Sequence, residues 1–513
     1  MRYLSENKRE DMRMKKRTAA RSMAALMGAA MVLTACGGGN TTAPTTGASS
    51  GGETQTASES AESGKITKTD IVVGQASDIV TLDPAGQQDT TSGVLMKHAY
   101  STLLDVDNEG KVVPDLAESY EMKSDTEYVF KLREDACFWD GTPVTAQDVK
   151  FSLDRAKGMP KTKSNTSKIE EVTVNGDHEV TIKLTEPYAA FKTIVTQHNL
   201  SILSEKAVTE AGDSYGDVDN LLGSGPFKVT EWVPNDHYTL VRNDNYWGEM
   251  PIATSITCRV IPEGSARTIA LEAGEIDVVW SVDPTDCANV ESNPDVKLLS
   301  QPSTGIDYVG MNTQKEKFSD KRVRQAINYA LDKQTFVDTI IEGRGLVANS
   351  YINAAIPGWT DEVEAYPYDP EKAKELLAEA GYPDGFECSI FVNGDLRTRS
   401  AQILQAQLAD VGIKVDISTY EWGALLDTLN AGEHEMFLLG WSNTSFDPDG
   451  STYQLFYSGN HGATGNRAFF SNDKVDELIL SAQRESEESK RMELYKELQF
   501  VLHDESPWCR LYY

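Results

Sequence analysis

The sequence predicts an α/β protein of at least two lobes, and three features carry that reading. Of its 513 residues, those able to build a core begin near Ile66, and the remainder is more than one hydrophobic core normally organises. Beyond Tyr308, helical periodicity over Asp320 to Glu342, Asp369 to Ala380 and Arg399 to Val411 alternates with strand-like runs at Glu387 to Val392, Lys414 to Ser418 and Met436 to Leu439, which is the pattern of an α/β lobe. From Ile66 to about residue 305, shorter strands mix with helices, so a lobe of different texture is expected there.

Taken in order, Asp70 to Gly74 is rich in β-branched residues and reads as a strand, and Thr91 to Leu104 reads as a helix. Tyr128 to Leu132 and Glu179 to Leu184 alternate apolar and polar residues, as half-buried strands do. Thr145 and Asp148 stand three apart before Val149, Phe151 and Leu153, the spacing of a capped helix start. Gly223-Ser-Gly-Pro-Phe227 lacks the lysine of a phosphate-binding loop and reads as a turn.

The first 65 residues have a different chemistry. Arg13, Lys15, Lys16, Arg17 and Arg21 precede an apolar run from Met23 to Val32, too short to span a bilayer as a helix and suited to an export signal. Leu33-Thr34-Ala35-Cys36 resembles the lipobox of bacterial lipoproteins, which implies cleavage before Cys36 and acylation of its thiol. Residues 1–35 are then a signal peptide, and Glu6, Glu10 and Asp11 suggest a translation start at Met12 or Met14. Residues 36–65 read as a lipidated tether: Gly37 to Gly64 holds no aromatic and no aliphatic larger than alanine and cannot bury a core. Its root-mean-square reach is about 30 Å. The protein is therefore expected outside the cytoplasmic membrane, lipid-anchored.

Charge and cysteine placement narrow the partners. The full chain carries 48 basic and 79 acidic side chains, and removal of the signal leaves 40 against 76. Such a surface repels phosphate backbones, so no nucleic-acid partner is expected. The six cysteines, at 36, 137, 258, 287, 388 and 509, are far apart with no CxxC pair. Isolated buried thiols are the favoured reading, and no sulfur-based metal site is expected.

Cys137-Phe-Trp-Asp-Gly-Thr-Pro-Val-Thr-Ala-Gln-Asp-Val-Lys-Phe-Ser-Leu-Asp154 resembles, in order and spacing, the signature of the solute-binding proteins of ABC importers for oligopeptides, dipeptides, nickel and glutathione, family 5. Six further blocks follow in that family's order: Thr81 to Pro84, Gly223 to Phe227, Tyr308 to Asn312, Arg322 to Leu331, Tyr368 to Ala373 and Gln407 to Lys414. Gly440 to Thr444 and Asn466 to Asn472 place the chain nearest the glutathione- and peptide-binding branch. The resemblance implies a periplasmic-binding-protein-like fold with two α/β lobes around a hinged cleft and an extra subdomain inserted in the first. The expected boundaries are 66–110 with 224–305 for lobe I, 111–223 for the inserted subdomain, 306–506 for lobe II, and 507–513 for a return segment, truncated relative to the family. Trp508 to Tyr513 would then be a strand start with an unpaired apolar edge.

The implied function is capture of a peptide or other small polar solute, without chemistry or cofactor, and its delivery to ABC permease subunits by a monomer. A closing cleft exchanges water for protein contacts, and a peptide needs ionic partners at its ends with hydrogen-bond groups between. Trp441, Ser442, Asn443 and Thr444 supply an aromatic platform and small polar groups. In dipeptide- and oligopeptide-binding relatives an aspartate three places after the tryptophan pairs with the ligand ammonium; Thr444 stands there, and Asp447 is the candidate replacement, with a turn-shaping role as its alternative. Arg397 or Arg399 would meet a carboxylate or be solvated at a helix start. Tyr308 lies either by the cleft or in the core.

Competing readings are a carrier of nickel complexes through His434 and His461, a carrier of oligosaccharides using cleft aromatics, and an extracellular hydrolase. For the last, HExxH and cysteine–histidine signatures are missing from the sequence. Isolated surface histidines are the commoner explanation for His434 and His461.

Overall fold

Strand Asp70–Gln75 lies inside a five-stranded sheet, in the order Val278–Val279, Asp70–Gln75, Ser255–Val260, His237–Arg242, Phe227–Val233. It runs parallel to both neighbours, and the other pairings are antiparallel. The computed structural model describes residues 68–513; the expected signal peptide, Cys36 and the expected tether lie outside the described residues. Leu82, Leu95, Met96, Ala99, Trp139 and Tyr238 form the core on which this sheet rests.

The inserted region is an antiparallel sheet, in the order Ala117–Ser124, Glu127–Leu132, Glu179–Leu184, Ile169–Gly176, with helix Ala146–Lys157 against one face. The helix starts where its capping pair predicts, since Asp148 accepts the Thr145 amide at 2.9 Å and its hydroxyl at 2.7 Å. Two contacts tie this region to the first lobe. The Arg155 guanidinium makes two hydrogen bonds to Asp83, at 3.0 and 2.6 Å, and the Lys228 ammonium donates to the Trp139 carbonyl at 2.9 Å. A Cβ at Gly223 would lie 2.1 Å from the Ala99 carbonyl oxygen and 2.6 Å from the Trp139 ring. The glycine is a requirement of close approach.

The second lobe is built on a sheet in the order Lys414–Thr419, Glu387–Val392, Met436–Ser442, Gly305–Met311, Trp508–Tyr512. The first three strands are parallel, and Gly305–Met311 is antiparallel to both of its neighbours. Both faces are covered. Val309, Phe318, Ile327, Ile390 and Leu404 pack on one side, and Tyr308, Tyr351, Phe437, Tyr495 and Trp508 on the other, so the inner strand Met436–Ser442 opens on a continuous apolar run.

Several expected elements shift in extent. The first helix is Thr90–Ala99, and Leu104 already belongs to strand Leu104–Val106. The span from Asp320 to Glu342 divides into Lys321–Ala330 and Lys333–Thr339, because Asp332 turns its carboxylate onto the Gln334 amide and starts a second helix. Helices Trp422–Asn430, Asp473–Arg484 and Glu488–Glu505 extend the helical set.

The unpaired edge expected at Trp508 to Tyr513 is corrected. Strand Trp508–Tyr512 is buried at every position, bonded on one side to Gly305–Met311. On the other side it meets residues 346–348, where Ala348 donates to Leu511 at 3.1 Å and Tyr513 to Leu346 at 2.9 Å. Among the described residues all five cysteines are free thiols, four of them buried, and no helix is long and apolar enough to cross a membrane.

Gly223→Ala should lower the melting temperature by an amount equivalent to about 1–3 kcal/mol, the usual cost of forcing atoms into a packed core. An unchanged calorimetric melt would show that the Ala99–Trp139 contact yields without cost.

Candidate functional site

The two lobes face each other across a boundary that carries more polar capacity than it uses. At its centre the Trp422 indole donates to Asp89 at 3.4 Å and Gln88 to the Thr464 carbonyl at 3.3 Å. Arg399 pairs with Asp283 at 2.6 Å, and burial of that carboxyl is outweighed by its bonds from Thr285 and Arg399, which hold it below the usual range. A cavity of about 740 Å³ opens between the lobes, lined by Ser77, Asp78, Val80 and Trp232 on one side and Trp422 and Asp427 on the other.

Within this boundary Gln88 Oε1, Asp89 Oδ2, Arg397 Nε and Arg399 Nε are buried with no hydrogen-bond partner. Each such atom costs about 1–3 kcal/mol when left unmatched, and native interiors hold few of them. Two acceptors on the first lobe and two cationic donors on the second are the complement of a guest with both kinds of group.

The inserted region closes a second contact with lobe II. The Tyr188 hydroxyl donates to Asp449 at 2.5 Å, the Ala189 amide to the Gln483 carbonyl at 2.8 Å, and Thr444 to Gln197 at 3.1 Å. Asp449 is almost fully buried. Burial and the neighbouring Asp447 charge push its carboxyl up to about 6, against the bonds from Tyr188 and Gln483.

Of the residues singled out in the sequence, the structure brings some to the boundary and leaves others within the second lobe. Thr444 and Ser442 are exposed at the end of strand Met436–Ser442. Trp441 is half-buried, its indole N–H engaged by the Gly450 carbonyl at 2.9 Å. Arg397 is half-buried, with its guanidinium carbon 6.0 Å from the centre of the Trp422 ring and one nitrogen bonded to Asn393 at 2.9 Å.

Four residues require correction. Tyr308 is a core residue, 2% exposed and stacked 3.5 Å from Trp508. The Asn443 side chain is consumed inside its own loop by Asp447, Ser451 and Ser445. Asp447 has both carboxylate oxygens on Arg491, at 2.9 and 2.5 Å, and also caps Asp449 at 2.9 Å, so it shapes the turn and its charge is already matched within the lobe. His434 is fully buried rather than at the surface, with Nε2 against the Arg467 carbonyl at 2.8 Å; burial pushes it down to about 4. His461 contacts the Phe470 carbonyl at 3.0 Å. Among the described residues no His, Cys, Asp and Glu cluster suits a metal ion.

The residues missed are Gln88, Asp89, Asp307 and Trp422. Asp307 had a legible signal. Side chains on a strand alternate between faces, so placing Tyr308 in the core turns Asp307 to the opposite face. A bulge reinforces this, since Asp307 pairs with Tyr512 while Tyr308 pairs with Arg510, leaving Leu511 as the extra residue. Asp307 lies 3.9 Å from Arg397 Nε, and the oxygens of its carboxylate sit 3.1 and 3.2 Å from where a Cβ on Gly440 would stand.

Two α/β lobes that meet over an interior of mixed, unmatched charge define a two-lobed solute-binding protein. The chain belongs to the bacterial extracellular solute-binding proteins, family 5, whose middle-region model matches residues 111–463. The glutathione-binding protein GsiB of Escherichia coli strain K12 is 32% identical over 461 residues, covering 86% of this chain and 88% of that protein. Among solved structures, the periplasmic binding protein DppA of Helicobacter pylori in complex with the peptide STSA has a TM-score of 0.83 at 29% identity, covering 86% of this chain and 92% of that one. The oligopeptide-binding protein AppA of Bacillus subtilis, in complex with a nonapeptide, has a TM-score of 0.80 at 27% identity, covering 86% and 92%.

Arg491→Met strands Asp447 in the interior and should cost about 3–5 kcal/mol, read as a lower melting temperature; an unchanged melt would return Asp447 to the pool of free anchors. The raised acid at Asp449 holds its proton more tightly folded than unfolded. Stability relative to Asp449→Asn should therefore fall as pH rises from 4 through 6, by about 3 kcal/mol at roughly 1.4 kcal/mol per pH unit. A difference independent of pH would contradict the shift.

Proposed function

We propose that this chain is the substrate-binding component of an ABC importer, closing around a peptide or glutathione-like peptide and handing it to permease subunits in the membrane. The single observation that carries the reading is the lobe boundary, where acceptors at Gln88 and Asp89 face donors at Arg397 and Arg399 with valences unspent. A peptide supplies an ammonium, a carboxylate and amides, which match such a set. Support comes also from the names of the relatives, which bind glutathione, a tetrapeptide and a nonapeptide. On this reading Trp441, Ser442, Thr444, Trp422 and Arg397 face the guest, whereas Tyr308, Asn443 and Asp447 hold the walls in shape. The guest leaves chemically unchanged.

The boundaries read from the sequence are part of the proposal. The sheet built from Asp70–Gln75 and Phe227–Val279 suits lobe I at 66–110 and 224–305, and the sheet spanning Ala117–Leu184 suits an inserted subdomain at 111–223. Lipidation of Cys36, supported by the lipobox resemblance and by a tether without core-forming residues, and a monomeric working form complete it.

Melting curves recorded against di- to nonapeptides, glutathione, nickel–histidine and oligosaccharides test the ligand class. A guest at 100 times its dissociation constant adds about 2.7 kcal/mol, and mass analysis should recover it intact. A shift with sugars alone, or a cleaved peptide, rejects the reading. For the anchor, Cys36→Ala should move the protein from the membrane to the soluble fraction of its native host, and retention in the membrane would rule out lipid on that thiol.

A further inference from the structure

Asp307 differs from the other acidic groups at the heart of lobe II. Asp447 and Asp449 are fully engaged by Arg491, Tyr188, Gln483 and Tyr495. Asp307 accepts no hydrogen bond from any described residue, yet its side chain is only 28% exposed. Its one cationic neighbour, Arg397, stops at 3.9 Å, beyond hydrogen-bond distance. Burial raises the Asp307 carboxyl, and Arg397 offsets only part of that.

Three neighbours flank this carboxylate. Gly440, directly across the strand, leaves the space that the carboxylate fills. Tyr512, the cross-strand partner on the other side, is 5% exposed; side chains paired across antiparallel strands share a face. Arg397 Nε is buried and unspent. Through the Arg397 guanidinium the group continues to the Trp422 ring and from there to Asp89 of the first lobe.

We infer that Asp307, flanked across the sheet by Tyr512 and Gly440, is the subsite for the primary ammonium of the guest. A carboxylate offers about four acceptor positions and an ammonium three donors, so a free amino terminus fits a group that has nothing else to accept. One carboxylate beside a guanidinium falls far short of the six to eight oxygens that calcium takes, and the positive charge of Arg397 counts against any divalent ion. The subsite takes over what residue 444 would supply as an aspartate, and it requires a guest with an unblocked amine. This rests on the peptide reading above.

The test is capture from a defined tripeptide library offered free, N-acetylated and C-amidated, read by mass spectrometry on the full-length protein. Free and C-amidated peptides should be retained, and acetylated ones lost at least tenfold. Capture of acetylated peptides as well as free ones overturns the subsite while the peptide reading stands; loss on amidation but not acetylation places the guest's carboxylate at Arg397 and overturns it too; capture of none defeats both. Asp307→Asn should weaken the retained peptide at least tenfold and erase the preference for a free amine. Should that variant melt early, Gly440→Ala, which crowds the carboxylate and leaves its charge, should reduce capture of free peptides. Unchanged preference in a folded Asp307→Asn would also overturn the assignment.

Discussion

Charge brought to the lobe boundary without being matched there is the constraint on which the rest of the molecule depends. Among the described residues most ion pairs form within a single lobe, as Arg491 with Asp447 and Lys68 with Asp277 do. At the boundary the first lobe presents an acid and an amide with free acceptors, and the second presents guanidinium nitrogens with free donors. In a low-dielectric interior an unmatched group is costly, so the closed arrangement is worth most when something polar fills it. That is the energetic logic of a clamp: the guest contributes the contacts that the protein withholds from itself.

The matched pairs make this affordable elsewhere in the fold. Arg155 on Asp83 holds the loop before helix Thr90–Ala99, and with it Gln88 and Asp89, against the inserted region. Arg491 on Asp447 holds the turn that follows Trp441. Both are two-pronged, which fixes orientation as well as distance. The inserted region thus acts on the site at two removes, through the first lobe by Arg155 and through the second by Tyr188 on Asp449. A rigid scaffold of paired charge positions a small set of unpaired ones.

The fold was legible in the sequence wherever a local rule decides. Strands Glu179–Leu184 and Glu387–Val392 sit where alternation and β-branching put them, and helix Ala146–Lys157 starts at its capping pair. The tail at Trp508 was misread as an exposed edge because its partners are distant in the chain: Gly305–Met311 and residues 346–348. The site was legible by neighbourhood and not by residue. Local patterning placed Trp441 and Arg397 near the right strand and helix ends, but nothing local says that Arg491, 44 positions away, claims Asp447. Reading Tyr308 for its aromatic ring passed over Asp307, although a period of two sends adjacent residues to opposite faces. Asp89 was hidden by its second role as the cap of helix Thr90–Ala99, where one oxygen accepts the Ser92 amide and the other remains free.

The most direct measurement is a crystal structure of the protein grown with a peptide that raises its melting temperature. The account predicts peptide density between the lobes, within hydrogen-bond distance of at least one group from each side, Gln88 or Asp89 on the first and Asp307, Arg397 or Arg399 on the second. Peptide bound elsewhere, with those groups closed onto one another or onto water, would contradict it.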